Sequence, residues 1–284
     1  MNLEGRRESK NVDDRRGRAT KTAGLGIGGL IIAGIIMLLT GKDPTPLLEQ
    51  VGSGISTTEN TEYVATAEEQ ELATFASKIL AGTEDVWTAE FKKMGRTYTP
   101  PKLVLFKGSV QSGCGNASSS TGPFYCSADQ CVYIDLEFFS SMYQQLGADG
   151  DFAYAYVIAH EVGHHVQYLL GTLGAAHEKM SRVSQTEANQ ISVRLELQAD
   201  YYAGVWAYHD NKMFGSLEDG DIEEGLHVAS VIGDDYLQKK ARGYTVPESF
   251  NHGTSAQRAK WLKKGLSTGS VAGGDTFSPS YNAL

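Results

Sequence analysis

The stretch Ala159-His160-Glu161-Val162-Gly163-His164-His165 decides the fold around it, because it places two histidines four residues apart. It follows the apolar run FAYAYVIA at 152–159, which predicts a buried helix. Side chains four residues apart project from the same helix face, so His160 and His164 can bind one metal ion. Glu161 lies beside them and can take a proton from a water held by that metal.

A second stretch, RLELQADYYAGVWA at 194–207, supplies the other groups that such a site needs. Glu196 and Asp200 are again four residues apart and share one face of a predicted helix. Glu196 is the predicted third ligand, and Asp200 is predicted to accept the ring N–H of a ligand histidine and fix its tautomer. Acidic residues usually lie on the surface, but the apolar neighbours of this pair favour a buried position.

A third stretch, HGTSAQR at 252–258, follows a proline-containing turn. His252 is a candidate donor of a hydrogen bond to a tetrahedral oxyanion, and Arg258 a candidate to position that oxyanion. A helix-capping segment with a surface histidine explains the same residues equally well. The nearby pair Asp234 and Asp235 fits either the end of a helix or a calcium ligand pair, and we favour the end of a helix.

Charge is unevenly distributed along the 284 residues. Residues 1–42 carry a net charge of +4 and the remainder −13, for a total of −9 that argues against a general nucleic-acid binder. The uncharged stretch TAGLGIGGLIIAGIIMLLTG at 22–41 is long enough for a transmembrane helix. The basic residues before it predict a cytoplasmic N-terminus and an exported domain, although a cleaved signal peptide is a competing interpretation.

The sequence therefore predicts four segments. These are a basic, disordered cytoplasmic tail at 1–21, a transmembrane helix at 22–41, a linker at 42–62 and a catalytic domain at 63–284. Within the domain, strands are predicted at 102–108 and 131–136 and helices over most of the remainder, so the fold class is α+β. The strand VYIDL at 132–136 is predicted to be the edge strand to which an extended substrate peptide adds.

Three cysteines, Cys114, Cys126 and Cys131, lie close together in a loop-rich region. The first pairing to expect is Cys114 with Cys126, which would close a polar loop and would need an oxidising compartment. Cys131 is left over, and the spacing lacks the paired CxxC pattern of a structural zinc site.

Taken together, VIAHEVGHHVQ, RLELQADYYAGVWA, IGDDYLQ and HGTSAQR resemble the bacterial neutral zinc metallopeptidase family, the YpfJ-like proteins. The resemblance implies a single-pass protein of the bacterial inner membrane with a zincin-like domain, mostly helical with a small antiparallel sheet. The E-x-x-A-D pattern is also similar to that of gluzincins, in which the glutamate is the third zinc ligand. Relatives often carry a cysteine where this chain has Tyr201, so a second disulfide is absent.

The leading hypothesis is a membrane-anchored zinc metallopeptidase that hydrolyses peptide bonds, with Glu161 as the general base. One alternative is a zinc-dependent amidase that acts on cell-wall peptides. The other is a membrane assembly protein without enzymatic activity, stabilised by zinc.

Overall fold

The computed structural model describes residues 1–17 and 63–284. Within these residues the chain is mostly helical with two small sheets, which confirms the α+β class. The strands are β1 Val12–Asp14, β2 Lys102–Phe106, β3 Ser109–Ser112, β4 Gly115–Ser118, β5 Phe124–Cys126 and β6 Cys131–Asp135. The α-helices are α1 Ala67–Lys93, α2 Glu137–Leu146, α3 Asp151–Leu170, α4 Thr172–Met180, α5 Gln185–Phe214, α6 Asp221–Val231, α7 Asp234–Arg242 and α8 Ser255–Thr268.

The larger sheet has the strand order β1-β2-β6-β5. The pairs β1–β2 and β2–β6 are parallel and only β5–β6 is antiparallel, so the prediction of an antiparallel sheet is wrong. Strand β6 lies inside the sheet, and β5 forms its edge. The prediction that VYIDL is the edge strand is therefore also wrong. The sequence does not reveal the edge strand itself, because Phe124–Cys126 has only three residues.

The helix that carries the HExxH motif, α3, lies in the core and packs against α5. Most of its side chains are buried, as the preceding apolar run predicts. The backbones of α3 and α5 lie close together at Gly163, where a Cβ atom would lie 3.0 Å from the carbonyl oxygen of Ala199 and 3.1 Å from its Cα. Because a larger side chain would separate the two backbones, this glycine sets the distance between the histidines and Glu196.

Helix α8 also packs against α5, and here the close contact is made by two glycines, Gly204 of α5 and Gly265 of α8. A Cβ atom at Gly204 would lie 2.4 Å from the carbonyl oxygen of Leu262, and one at Gly265 would lie 2.1 Å from that of Tyr201. The helix begins with a capping box, in which the Thr254 side chain accepts a hydrogen bond from the backbone N–H of Gln257. This close packing brings the first turn of α8 against the middle of α5.

The sequence pattern predicts one helix over 217–240, whereas the structure has two, α6 and α7. The helix is interrupted around Gly233, where a Cβ atom would lie 2.2 Å from the backbone nitrogen of Ser255. The N-terminus of α7 therefore sits directly against the turn that leads into α8, which the apolar periodicity could not indicate.

Residues 1–17 fold onto the domain, so the prediction of a disordered tail is wrong. Strand β1 pairs with β2 in register, Val12 with Leu103. Arg6 forms a bidentate ion pair with Asp210 of α5, with nitrogen–oxygen distances of 2.7 and 3.1 Å. Arg7 pairs with Glu84 and Asp85 of α1. Arg6 and Arg7, two of the basic residues that resemble the flank of a membrane span, are thus neutralised within the fold.

No helix in residues 1–17 or 63–284 is both long enough and apolar enough to cross a membrane. The segments predicted as a span, 22–41, and as a linker, 42–62, lie outside the described residues. The predicted location was a single-pass inner-membrane protein, with the N-terminal tail and the domain on opposite sides of the membrane. That location is wrong, because the N-terminal strand and the domain belong to one folded unit.

Loss of the Arg6–Asp210 pair tests how firmly the N-terminal segment is held. The substitution Arg6→Ala leaves a carboxylate that is 1 % exposed without its cation. We expect the free energy of unfolding to fall by about 3–5 kcal/mol, as is typical when one partner of a buried pair is removed. Chemical denaturation followed by circular dichroism measures this difference.

The matched control is Arg182→Ala, which removes the cation of an exposed pair with Glu178. Exposed pairs contribute about 0.5 kcal/mol. An equal and small effect of both substitutions would show that the N-terminal segment does not stabilise the domain.

Candidate metal centre

The two histidines of α3 and one carboxylate of α5 converge on one point. His160 Nε2 lies 3.2 Å from Glu196 Oε2, and His164 Nε2 lies 3.3 Å from Glu196 Oε1. One potential ligand atom from each of the three residues lies within 4.8 Å of the other two. The predicted ligand set of His160, His164 and Glu196 is thus brought together by the packing of α3 against α5.

The chemistry of this donor set fits a zinc ion. Two imidazole nitrogens and one carboxylate oxygen are a typical catalytic zinc set, which leaves a position for water or substrate. The Nδ1 atom of each ring already has a hydrogen-bond partner, which is Asp200 for His160 and Gln167 for His164. Both Nε2 atoms, which face the carboxylate of Glu196, are therefore the ones available to a metal.

The electrostatics of the cluster also call for positive charge. Burial opposes ionisation of Glu196, yet the charge of His164 and hydrogen bonds from both histidines hold its pKa well below its usual value. Burial also opposes protonation of His160, yet the carboxylates of Asp200 and Glu196 raise its pKa to about 10. The buried carboxylates thus favour cationic groups beside them, and a divalent cation would supply the same compensation.

Asp200 lies directly behind His160 and is completely buried. It accepts hydrogen bonds from His160 Nδ1 at 2.8 Å, the Tyr156 hydroxyl at 2.5 Å, and Arg258 Nε and Nη2, both at 2.9 Å. Burial alone would raise the pKa of Asp200, but the charges of Arg258 and His160 lower it to about 2. An ionised acceptor behind His160 orients the ring and makes it a stronger ligand.

Arg258 is buried behind Asp200, contrary to the prediction that it positions an oxyanion. Its side chain is 5 % exposed, and its guanidinium donates hydrogen bonds to Asp200 and to the hydroxyl of Tyr156. The sequence pattern places Arg258 near the N-terminus of a helix, but it cannot show that this turn packs behind α5. Tyr156, one turn before His160, was not anticipated because a tyrosine in an apolar run is typical of core packing.

Glu161 is 8 % exposed and lies between the ligand histidines in sequence. Its carboxylate forms no hydrogen bond or ion pair with the residues that the structure describes. Burial raises its pKa above the usual value for glutamate, and the charges of His160 and His164 partly offset that rise. A carboxylate without a competing partner is suited to accept a proton from water.

His252 is held by Asp234, the first residue of α7. Its Nδ1 lies 3.2 Å from Asp234 Oδ1, and Asp234 Oδ2 accepts the backbone N–H groups of Asn251, His252 and Gly253 at 2.7–2.9 Å. Burial opposes protonation of His252, but Asp234 and the charge of Glu196 raise its pKa. The pair Asp234 and Asp235 therefore anchors the 251–255 turn, since Asp235 accepts hydrogen bonds from Ser255.

Beside the metal helix, a disulfide links the β3–β4 hairpin to the edge strand β5. It joins Cys114 and Cys126, with the two Cα atoms 5.8 Å apart. Cys131 is buried and free, and lies opposite Cys126 in the β5–β6 pairing. Strand β5 also reaches α3, because the Tyr125 hydroxyl lies 2.9 Å from His165 Nδ1.

Comparison with known proteins identifies the family of the chain. The sequence matches the family described as "Putative neutral zinc metallopeptidase" over residues 1–277. The chain belongs to this family. The resemblance that the motifs indicated is thereby confirmed, and with it zinc as the cofactor of a peptidase family.

Two of its relatives show how far the similarity extends. The chain is 48 % identical over 290 residues to "Uncharacterized protein YpfJ" of Escherichia coli (strain K12), an alignment that covers 99 % of this chain and 100 % of that protein. It is 44 % identical over 200 residues to "Uncharacterized protein Rv2575" of Mycobacterium tuberculosis (strain ATCC 25618 / H37Rv), which covers 67 % of each. No solved structure matches the chain.

Removal of the third ligand tests the metal centre. In the Glu196→Gln variant a neutral amide replaces the carboxylate that both histidine Nε2 atoms face. We expect the zinc dissociation constant to rise at least about 100-fold, because zinc binds an anionic oxygen far better than an amide. Competition with a chromophoric chelator measures it.

Glu187→Gln is the matched control, since Glu187 is an exposed residue near the start of the same helix. Its zinc dissociation constant should equal that of the parent protein. If Glu196→Gln also retained parental affinity, the assignment of Glu196 as a ligand would be wrong.

Proposed function

We propose that this protein hydrolyses peptide bonds at the centre formed by His160, His164 and Glu196. The observation that carries the proposal is the convergence of the two Nε2 atoms on one carboxylate, with the buried Glu161 adjacent in sequence to His160. Zinc, when bound there, supplies a Lewis acid that polarises the scissile carbonyl and makes water more acidic.

Glu161 acts as the general base. Its carboxylate accepts a proton from the attacking water and later delivers that proton to the amine that leaves. Its lack of a hydrogen bond or ion pair within the described residues supports this role, because a carboxylate tied to a cation would be a weaker base. A purely structural metal site has no use for such a group, which counts against an assembly protein without activity.

His252 acts as the hydrogen-bond donor to the oxyanion that develops on the carbonyl oxygen. Asp234 faces Nδ1 and stabilises the ring in its protonated form, in which Nε2 also carries a proton and can donate. The three backbone N–H groups that Asp234 also binds hold the 251–253 turn in place. A Cβ atom at Gly253 would lie 3.2 Å from the side chain of Val193 and 3.4 Å from that of Leu197, so this turn lies beside the part of α5 that carries Glu196.

The substrate is an extended polypeptide that adds to β5, which is an edge strand of the sheet within the described residues. This strand is the antiparallel edge of the sheet, and its Tyr125 side chain contacts α3 at His165. An edge strand offers backbone N–H and C=O groups to any peptide of extended conformation, so the pairing selects conformation before sequence.

Loss of the general base should strongly reduce catalysis without loss of bound zinc. We expect Glu161→Gln to reduce kcat for casein-derived peptides by about 10²–10⁴-fold, the usual contribution of acid–base catalysis. Zinc content, measured on the same preparation, should stay that of the parent protein, because Glu161 is not a ligand.

Glu178→Gln, an exposed substitution on α4, is the control and should keep full activity. Cell-wall fragments assayed in parallel distinguish a peptidase from an amidase that acts on wall peptides. Full activity in the Glu161→Gln variant would contradict the proposed mechanism.

The role of His252 is tested by the separation of kcat from KM. For His252→Ala we expect kcat to fall about 10²–10³-fold, as on removal of one oxyanion donor, with KM changed little. His227→Ala, which alters an exposed histidine, serves as the control. A rise in KM at constant kcat would instead mean that His252 only binds substrate.

A further inference from the structure

A chain of amide hydrogen bonds runs from the second ligand histidine to the C-terminal part of the protein. His164 Nδ1 lies 2.9 Å from Gln167 Oε1, and Gln167 Nε2 lies 3.1 Å from Gln198 Oε1. Gln198 Nε2 lies 2.7 Å from the carbonyl oxygen of Gly274. We call these two glutamines the amide relay.

Both side chains of the relay are withdrawn from solvent. Gln167 is fully buried and Gln198 is 6 % exposed. Gln167 Nε2 makes a second hydrogen bond, at 2.7 Å, to the carbonyl oxygen of Leu195. The amide groups of Gln167 and Gln198 are thus tied to neighbouring elements, and water does not compete for them.

The direction of the relay cannot be reversed. The carbonyl oxygens of Gly274 and Leu195 only accept hydrogen bonds, so Gln198 and Gln167 must turn their NH₂ groups toward them. Each amide then presents its oxygen at the other end. Gln167 Oε1 is consequently an acceptor, and the ring of His164 must carry its proton on Nδ1.

We propose that Gln167 and Gln198 are positioning residues for the metal ligand His164, fixing its tautomer and ring orientation from the backbone carbonyl of Gly274. A proton on Nδ1 leaves the lone pair of Nε2 facing Glu196, where the metal binds. This inference rests on the zinc centre proposed above. It adds which residues determine the orientation of the His164 ring and the nitrogen that carries its proton.

The two ligand histidines differ in the charge of the group that accepts a hydrogen bond from Nδ1. His160 is backed by the carboxylate of Asp200, whereas His164 is backed by a neutral amide. A neutral acceptor orients the ring without adding a second negative charge behind the centre. It also ties the 271–274 turn to the metal helix, since Gly274 is the outer end of the relay.

The experiment uses zinc itself as the probe and compares variants that differ in one property. In Gln167→Met no acceptor remains for His164, and the zinc dissociation constant should rise about 10–100-fold, as for other partners of metal ligands. Gln167→Glu keeps an acceptor but loses both N–H donors. Its dissociation constant should remain within about 3-fold of the parent value, while both variants lower the melting temperature of the metal-free protein.

Gln198→Met removes one of the two acceptors of the Gln167 NH₂ group and leaves the other, the carbonyl oxygen of Leu195, so it should weaken zinc binding less than Gln167→Met does. Gln185→Met, an exposed change on the same helix, is the control and should bind zinc like the parent protein. Equal losses of affinity in Gln167→Met and Gln167→Glu, or no loss in either, would overturn the relay. A parent protein that binds no zinc would overturn the centre itself and the relay with it.

A measurement on the unaltered protein does not depend on how any variant folds. Nitrogen-15 spectra of the metal-free protein should show the neutral form of the His164 ring with its proton on Nδ1. A proton on Nε2 in that neutral ring would overturn the relay even if the protein then binds zinc.

Discussion

The carboxylate of Asp200 is the buried charge around which this structure is organised. An isolated carboxylate in the core would cost several kcal/mol, so it persists only where enough donors surround it. Here it takes hydrogen bonds from His160, Tyr156 and Arg258, which come from two different helices. Satisfying one group therefore holds α3, α5 and α8 in register, and that register is what places His160 opposite Glu196.

The same principle governs the rest of the centre, with a different acceptor for each imidazole. Asp200 backs His160, Gln167 backs His164, and Asp234 backs His252. Each acceptor contacts Nδ1, so that Nε2 is the ring atom left for the metal or the substrate. Ring orientation is thereby decided by residues that do not touch the metal or the substrate.

The N-terminal segment shows how a local pattern can mislead. Arg6 and Arg7 precede an apolar stretch, which is the usual pattern beside a membrane span. In the structure Arg6 pairs with Asp210, and Arg7 pairs with Glu84 and Asp85. Charge counted along a sequence does not reveal partners that lie more than 70 positions away, so only the folded chain distinguishes the two interpretations.

Local spacing was enough to predict the metal helix, the helix with Glu196 and Asp200, and the α+β class. A four-residue interval sets which side chains share a helix face, whatever the rest of the chain does. Parallel pairing in the sheet, β5 as its edge, Arg258 behind Asp200 and the amide relay were decided only by the tertiary structure. Each of these depends on contacts between segments distant in the chain, and an arginine or a glutamine acquires its role from the group that packing places opposite it.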